Sequence, residues 1–178
     1  MNLNCGFVKN TGLPCGESSG VAYNGNARLF VCSYHRSRLN EYRDATAGAQ
    51  VSEAIDLDPA YEHSRGETYS VLTVEGLVKI GYAGASEKIT TDQALTQRWS
   101  KVSRLTGGRC EVLSVRPGGR TMEALAHYRL RSSRVMFREG EYFWPTPEVL
   151  RFANDGSMTE AGSAALDRFA KWRPREAA

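Results

Sequence analysis

The fold of this chain is decided by the stretch Tyr69-Ser70-Val71-Leu72-Thr73-Val74-Glu75-Gly76-Leu77-Val78-Lys79-Ile80-Gly81-Tyr82. Two runs rich in β-branched and aromatic residues, 69–74 and 77–82, flank the dipeptide Glu75-Gly76. Runs of this kind joined by a two-residue turn are typical of a β-hairpin. The sequence therefore predicts two antiparallel strands, with Tyr69 at the start of the first and Lys79 inside the second.

A helix is predicted to begin at Thr90 or Thr91, because Thr90 and Gln93 have the spacing of a capping box. Its apolar stripe is formed by Leu95, Trp99, Val102 and Leu105. Arg98 lies within this stripe, where a cation is costly unless something at its tip balances the charge. We therefore consider Arg98 a candidate functional residue, with a structural arginine as the alternative.

A third strand is predicted over 110–115, with Cys110 as a core thiol, and a helix over 121–131. On that helix Glu123 and His127 are four residues apart and share one face. The carboxylate could bind a metal ion and the imidazole could donate to a phosphate. The alternative is a surface ion pair with neighbouring arginines.

The C-terminal part contains an aromatic cluster and two helix-start signals. The segment Glu141-Tyr142-Phe143-Trp144-Pro145 is predicted to pack in the core. Thr146-Pro147 has the pattern of an N-cap followed by a first-turn proline. Ser157 and Glu160 have capping-box spacing and predict the start of a final, structural helix.

Three of the four cysteines lie near the N-terminus together with a histidine: Cys5, Cys15, Cys32 and His35. The segment has few apolar residues, and a tetrahedral Cys3His zinc site would supply the missing stability. Four protein ligands close such a site, so its role would be structural. The alternatives are unligated thiols or disulfides.

The net charge of +3 is unevenly distributed. Residues 1–40 hold four basic and one acidic side chain, residues 41–68 two basic and seven acidic, and residues 69–178 seventeen basic and twelve acidic. Arginine-rich segments on both sides of an acidic one make nucleic acid a plausible partner. The N-terminus has no signal-peptide pattern and no run is apolar enough to span a membrane, so a cytoplasmic protein is expected.

Taken together, these residues resemble the GIY-YIG nuclease superfamily, in particular its phage and bacterial branch whose second motif reads KIG. Tyr69 matches the end of the first motif, and Lys79-Ile80-Gly81 matches the second motif ten residues later. Arg98 resembles the helix arginine of the family and Glu123 its metal-binding glutamate. His127 and the segment 141–143 fall where this branch has a histidine and a Glu-aromatic-Phe signature. The first motif lacks its Gly and Ile, and the second lacks its Tyr.

The resemblance implies an α/β fold with a small three-stranded antiparallel sheet flanked by helices, after an N-terminal zinc knuckle. It implies an endonuclease that hydrolyses phosphodiester bonds of nucleic acid, expected to be DNA, with the zinc module aiding substrate binding. Glu123 would hold Mg²⁺ or Mn²⁺ and Arg98 would neutralise charge on the phosphate. Tyr69 would orient or deprotonate the attacking water, with Lys79 close enough to favour the phenolate, and His127 would donate to phosphate or assist proton transfer.

The predicted organisation has four parts: a zinc-binding module at 1–40, an acidic connector at 41–66, a nuclease-like domain at 67–152, and a C-terminal helix and tail at 153–178. Two other classes of function stay open at this point. One is a nucleic-acid-binding protein that keeps the fold without catalysis. The other is an interaction adaptor built from a zinc knuckle and a basic domain.

Overall fold

A computed structural model describes residues 4–5, 13, 15–17, 20–24, 27–57, 65–135 and 141–172. The part of the predicted connector at 58–64 and the predicted tail at 173–178 lie outside the described residues. Within the described residues, no helix combines the length and the apolar character that crossing a membrane requires.

The N-terminal part contains a hairpin and a long helix. Strands β1 (Gly20–Asn24) and β2 (Ala27–Val31) pair antiparallel, and Cys32 then leads into helix α1 (Ser33–Leu57). Much of the predicted acidic connector at 41–66 is thus helical, although α1 has no sustained apolar stripe. Its packing depends on small residues instead: a Cβ added at Gly48 would lie 2.2 Å from Cβ of Tyr128. The backbone of α1 therefore approaches helix α3 (Gly119–Arg129) very closely.

The central sheet has four antiparallel strands in the order β5-β3-β4-β6. They are β3 (Glu67–Leu72), β4 (Val78–Ala83), β5 (Glu111–Pro117) and β6 (Tyr142–Phe143). The predicted hairpin is present, with Tyr69 opposite Gly81 and a left-handed φ of 77° at Gly76 in the turn. The prediction of three strands was wrong. The aromatic pair of β6 is buried as expected, and it reaches the core by pairing with the edge of β4 at Val78 and Lys79. The prediction for Trp144 of the same segment was wrong, because its side chain is 55% exposed.

Helices cover both faces of this sheet. The remaining ones are α2 (Thr91–Leu105), α4 (Pro147–Ala153) and α5 (Glu160–Ala170). One core cluster lies between the sheet and α2 with α5, around Trp99 and Phe169; the other lies between the sheet and α3 with α4, around Ile80 and Phe143. The predicted stripe of α2 is buried except for Leu105, which is the last residue of the helix and is 66% exposed.

The caps of these helices follow the sequence in two cases out of three. The N–H of Thr90 donates to Oε1 of Gln93 at 3.1 Å, and Thr146 caps α4 with proline in its first turn. The predicted cap at Ser157 was wrong, because the hydroxyl that caps α5 belongs to Thr159. The Ser157 carbonyl is used otherwise: it accepts from the N–H of Val115 in β5 at 3.1 Å. Because this hydrogen bond holds Ser157 against β5, helix α5 begins after it, at Glu160.

Candidate functional site

A first cluster of chemically active side chains lies at the start of α1. Cys5, Cys15 and Cys32 are buried, and His35 is half-buried. Nδ1 of His35 lies 3.3 Å from Sγ of Cys5 and 3.3 Å from Sγ of Cys32, and the sulfurs of Cys15 and Cys32 are 3.8 Å apart. The four ligand atoms all lie within 4.8 Å of one another. This cluster could bind a metal ion such as zinc.

Neighbouring backbone positions hold the four ligands in place. Cys32 directly precedes α1 and His35 lies in its first turn, so the CxxH spacing puts both on one helix start. The N–H of Cys5 donates to the carbonyl of Glu17 at 3.0 Å, which ties the first ligand to the segment that follows Cys15. The fourth cysteine, Cys110, lies apart in the core and accepts from the Ser103 hydroxyl at 3.3 Å, as a core thiol.

A second site is a cleft of about 520 Å³ against the sheet. Its lining includes all five residues that the sequence had singled out for catalysis: Tyr69 of β3, Lys79 of β4, Arg98 of α2, and Glu123 and His127 of α3. These residues come from four elements and span almost 60 positions of the chain. The fold therefore brings the predicted residues together in one cavity.

Tyr69 forms the buried wall of this cleft and is 2% exposed. A Cβ at the opposite Gly81 would lie 2.5 Å from the Tyr69 hydroxyl oxygen, so only glycine leaves room for the ring. Burial raises the pKa of Tyr69 well above its usual range, and Arg98 is the cation that lowers it most. Without a metal ion the phenol is therefore protonated at neutral pH, and a phenolate is not favoured.

Lys79 lies against the other side of the cleft. Its Nζ is 3.4 Å from Oε2 of Glu141 and 5.2 Å from the centre of the Tyr142 ring. Burial raises the pKa of Glu141, but nearby cations, above all the hydrogen-bonded ammonium of Lys79, outweigh this effect, so the pKa is lowered overall. Glu141 is therefore an ionised carboxylate that faces the cleft.

Strand β6 pairs with β4 only at Val78 and Lys79, and Glu123 and His127 contact the edge of β4 after these residues. The backbone of Tyr82 hydrogen-bonds the Glu123 carboxylate, and Nε2 of His127 lies 3.1 Å from the carbonyl oxygen of Ile80. Because a carbonyl can only accept, Nε2 carries the proton and Nδ1 is the acceptor. Burial lowers the pKa of His127, which keeps the imidazole neutral.

These carboxylates and the imidazole form a compact set of possible ligands. One ligand atom each of Glu123, His127 and Glu141 lies within 4.8 Å of the others. Burial, and then repulsion from Glu141, raise the pKa of Glu123 to about 7. A buried carboxylate repelled by a second one is an electrostatic arrangement that a divalent cation would relieve.

Sequence reasoning missed Glu141 and Arg120 as residues of the cleft. The carboxylate of Glu141 was overlooked because it precedes three aromatic positions that were assigned to the core. For Arg120 a signal existed, since it lies three residues before Glu123 and thus on the same helical face.

Comparisons with known proteins identify no relative: no family model, no curated protein and no solved structure matches this chain.

The raised pKa of Glu123 predicts a pH-dependent stability. In the folded protein without a divalent ion the pKa is about 7, against 4.5 for an unperturbed glutamate. Between these values the folded state retains a proton that the unfolded state has lost, so stability falls as pH rises through this window. Glu123→Gln cannot titrate and should be more stable than wild type above pH ~7, on the order of 2 kcal/mol.

Urea unfolding of both proteins, in buffer without Mg²⁺ or Mn²⁺, measures this difference at about pH 5 and about pH 8. The two proteins should be closest in stability at the lower pH, where Glu123 is protonated in the folded state. Parallel stability profiles across this range would contradict the burial of an ionisable Glu123.

Proposed function

We propose that this protein is a metal-dependent nuclease that hydrolyses phosphodiester bonds of nucleic acid, with DNA as the expected substrate. The observation that supports it best is the convergence of Tyr69, Arg98, Glu123 and His127, from three separate elements, on one cleft. The order and spacing of these residues resemble the GIY-YIG superfamily, which uses the same residue types for this reaction.

The ligand set fits a divalent ion. Glu123 and Glu141 offer oxygen donors, which suit Mg²⁺ and Mn²⁺. In the proposal the two carboxylates hold the ion. Bound there, Mg²⁺ or Mn²⁺ would polarise the scissile phosphate and stabilise the leaving oxygen.

The remaining side chains have roles that follow from their protonation. Arg98, with its exposed guanidinium, neutralises charge that develops on the phosphoryl oxygens. Tyr69 is a protonated phenol and orients the attacking water through its hydroxyl. His127 is neutral with a free lone pair on Nδ1 by its tautomer, so it takes the proton of that water. Lys79 keeps Glu141 ionised.

For the N-terminal cluster we propose structural zinc. A tetrahedral zinc ion with sulfur ligands at ~2.3 Å and nitrogen at ~2.0–2.1 Å requires ligand atoms about 3.5–3.8 Å apart. The nitrogen–sulfur distances of 3.3 Å and the sulfur–sulfur distance of 3.8 Å in the cluster are close to these values. The donor set of three thiolates and one imidazole is typical of structural zinc and leaves no open position for a reaction.

The test of the nuclease proposal is cleavage of plasmid DNA and of single-stranded DNA by the purified chain, with Mg²⁺, with Mn²⁺, and with neither. Cleavage is expected only with a divalent ion. Arg98→Ala should lower the single-turnover rate by about two orders of magnitude or more, the scale of removing one transition-state donor. The matched control is Arg151→Ala, since Arg151 is exposed on α4 and outside the cleft.

Two results would count against the proposal. Equal rates for wild type and Arg98→Ala would mean that the cleft is not the site of cutting. Binding of DNA without any cleavage under either metal would favour the nucleic-acid-binding alternative.

A further inference from the structure

A larger groove adjoins the cleft. It has a volume of about 1440 Å³ and is formed by the start of the loop after β4, the outer face of α2 and the segment before β3. Tyr82 and Arg98 line both the groove and the cleft. The two cavities therefore meet at the arginine that is proposed to contact the scissile phosphate.

The charge of the groove is of one sign. Among the described residues that line it none is Asp or Glu, whereas six are cationic: Arg65, Lys88, Arg98, Lys101, Arg104 and Arg168. In the described part of the chain, only one of these six cations forms an ion pair with a carboxylate: Nε of Arg168 lies 2.6 Å from Oδ2 of Asp92. In the described part of the chain, five of these cations thus have no ion pair with a carboxylate, which is an unfavourable arrangement in the absence of an anion.

Helix α2 contributes three of these cations at a regular spacing. Arg98, Lys101 and Arg104 follow one another at intervals of three residues, so they lie along one face of the helix. Leu95 and Trp99 of the predicted apolar stripe are buried, whereas Arg98, which was expected to lie within that stripe, is exposed. The cations therefore form a row, with its first member at the cleft and the others leading away from it at ~4.5 Å of helix rise per step.

We propose that this groove binds the sugar-phosphate backbone of the nucleic-acid strand next to the phosphodiester that is cut. The inference rests on the proposed function for the position of the cut bond, and on the cation row for the path of the strand. Long cationic side chains that contact phosphates position a nucleic acid without reading its bases. The groove therefore supplies affinity and register, and it predicts no base preference.

The test compares two double variants in a Glu123→Gln background, in which cutting is stopped. Lys88→Ala with Lys101→Ala removes two groove charges that have no described ion pair. Arg129→Ala with Arg151→Ala removes the same charge from exposed positions on α3 and α4, outside both cavities. Affinity for a fluorescent duplex DNA oligonucleotide is measured by anisotropy over a series of salt concentrations.

The groove variant should bind roughly tenfold more weakly, and its plot of log affinity against log salt should be shallower by about 1.8, since each lost phosphate contact removes about 0.9. The control pair should keep the slope of the parent. Equal losses in both pairs, or an unchanged slope in the groove variant, would overturn the proposal. So would competition by polyglutamate at equal charge, because it would show a generic polyanion surface.

The same variants with Glu123 restored separate this inference from the nuclease proposal. If wild type cuts DNA and both pairs need the same protein concentration for half-maximal cutting, the groove inference fails and the nuclease proposal stands. If the slope changes as expected but no protein cuts, the groove inference stands and the nuclease proposal fails.

Discussion

Glu123→Gln should reduce DNA cleavage to the level of a protein-free control, while binding of DNA is retained. The amide has the shape of the carboxylate and can still accept from the backbone of Tyr82. It also resembles the protonated carboxyl that burial favours, so the fold should tolerate it. It lacks the charge that would hold a divalent ion beside Glu141, and it removes a repulsion from phosphate. Cutting and binding are therefore expected to separate in this variant.

Cleavage rate and DNA affinity are to be measured on the same preparations. The matched control is Glu148→Gln, which changes an exposed carboxylate in the first turn of α4 and should cut like wild type. Cleavage by Glu123→Gln at the wild-type rate would rule out this cleft as the metal-dependent site. Loss of binding together with cutting would indicate a folding defect, which circular dichroism resolves.

Removal of the zinc ion proposed for the N-terminal cluster should have the largest effect on stability. Structural zinc sites contribute apparent binding energies of ~10–16 kcal/mol in zinc-finger peptides, far more than the apolar contacts of so small a segment. Metal analysis should find about one zinc per chain, as one closed Cys3His site requires. Cys32→Ala should lose this zinc and a large part of the helical signal, because Cys32 leads directly into the 25-residue helix α1.

Cys110→Ala is the matched control for this experiment. Cys110 is also a buried thiol, but it lies in the core against Ser103 and outside the metal cluster. Its zinc content should equal that of wild type, even though the core loses a sulfur. A zinc content below a tenth of the expected value in wild type, with α1 intact, would refute the zinc site.

Local rules predicted the elements of this fold that depend on neighbouring residues. The hairpin around Gly76 and the caps at Thr90 and Thr146 could be read directly, because each uses contacts within four residues of the chain. Strand β6 could not be predicted, because two residues are too few to show an alternation of apolar and polar side chains. They form a strand only because they pair with the edge of β4. Helix α1 was missed as a packed element because its contact with α3 depends on a glycine, where sequence analysis looks for an apolar stripe.

The sequence predicted which residues form the candidate site better than it predicted their charges and ion pairs. Spacing indicated that Glu123 and His127 share a face, and the fold placed Tyr69, Lys79 and Arg98 beside them. The expectation that Lys79 favours a phenolate at Tyr69 is not supported, because Lys79 is paired with Glu141. That pairing joins residues 62 positions apart. Such a contact cannot be inferred before the topology is known.

Gly48 restricts where this chain can change in length. Its contact with Tyr128 requires that one particular face of α1 meets the helix that carries Glu123. An insertion of one residue between His35 and Gly48 would rotate the glycine by about 100° around the helix axis, away from α3. Insertions and deletions should therefore be excluded from this half of α1. The number of helical residues between His35 and Gly48 thus fixes the distance from the Cys3His cluster to the cleft.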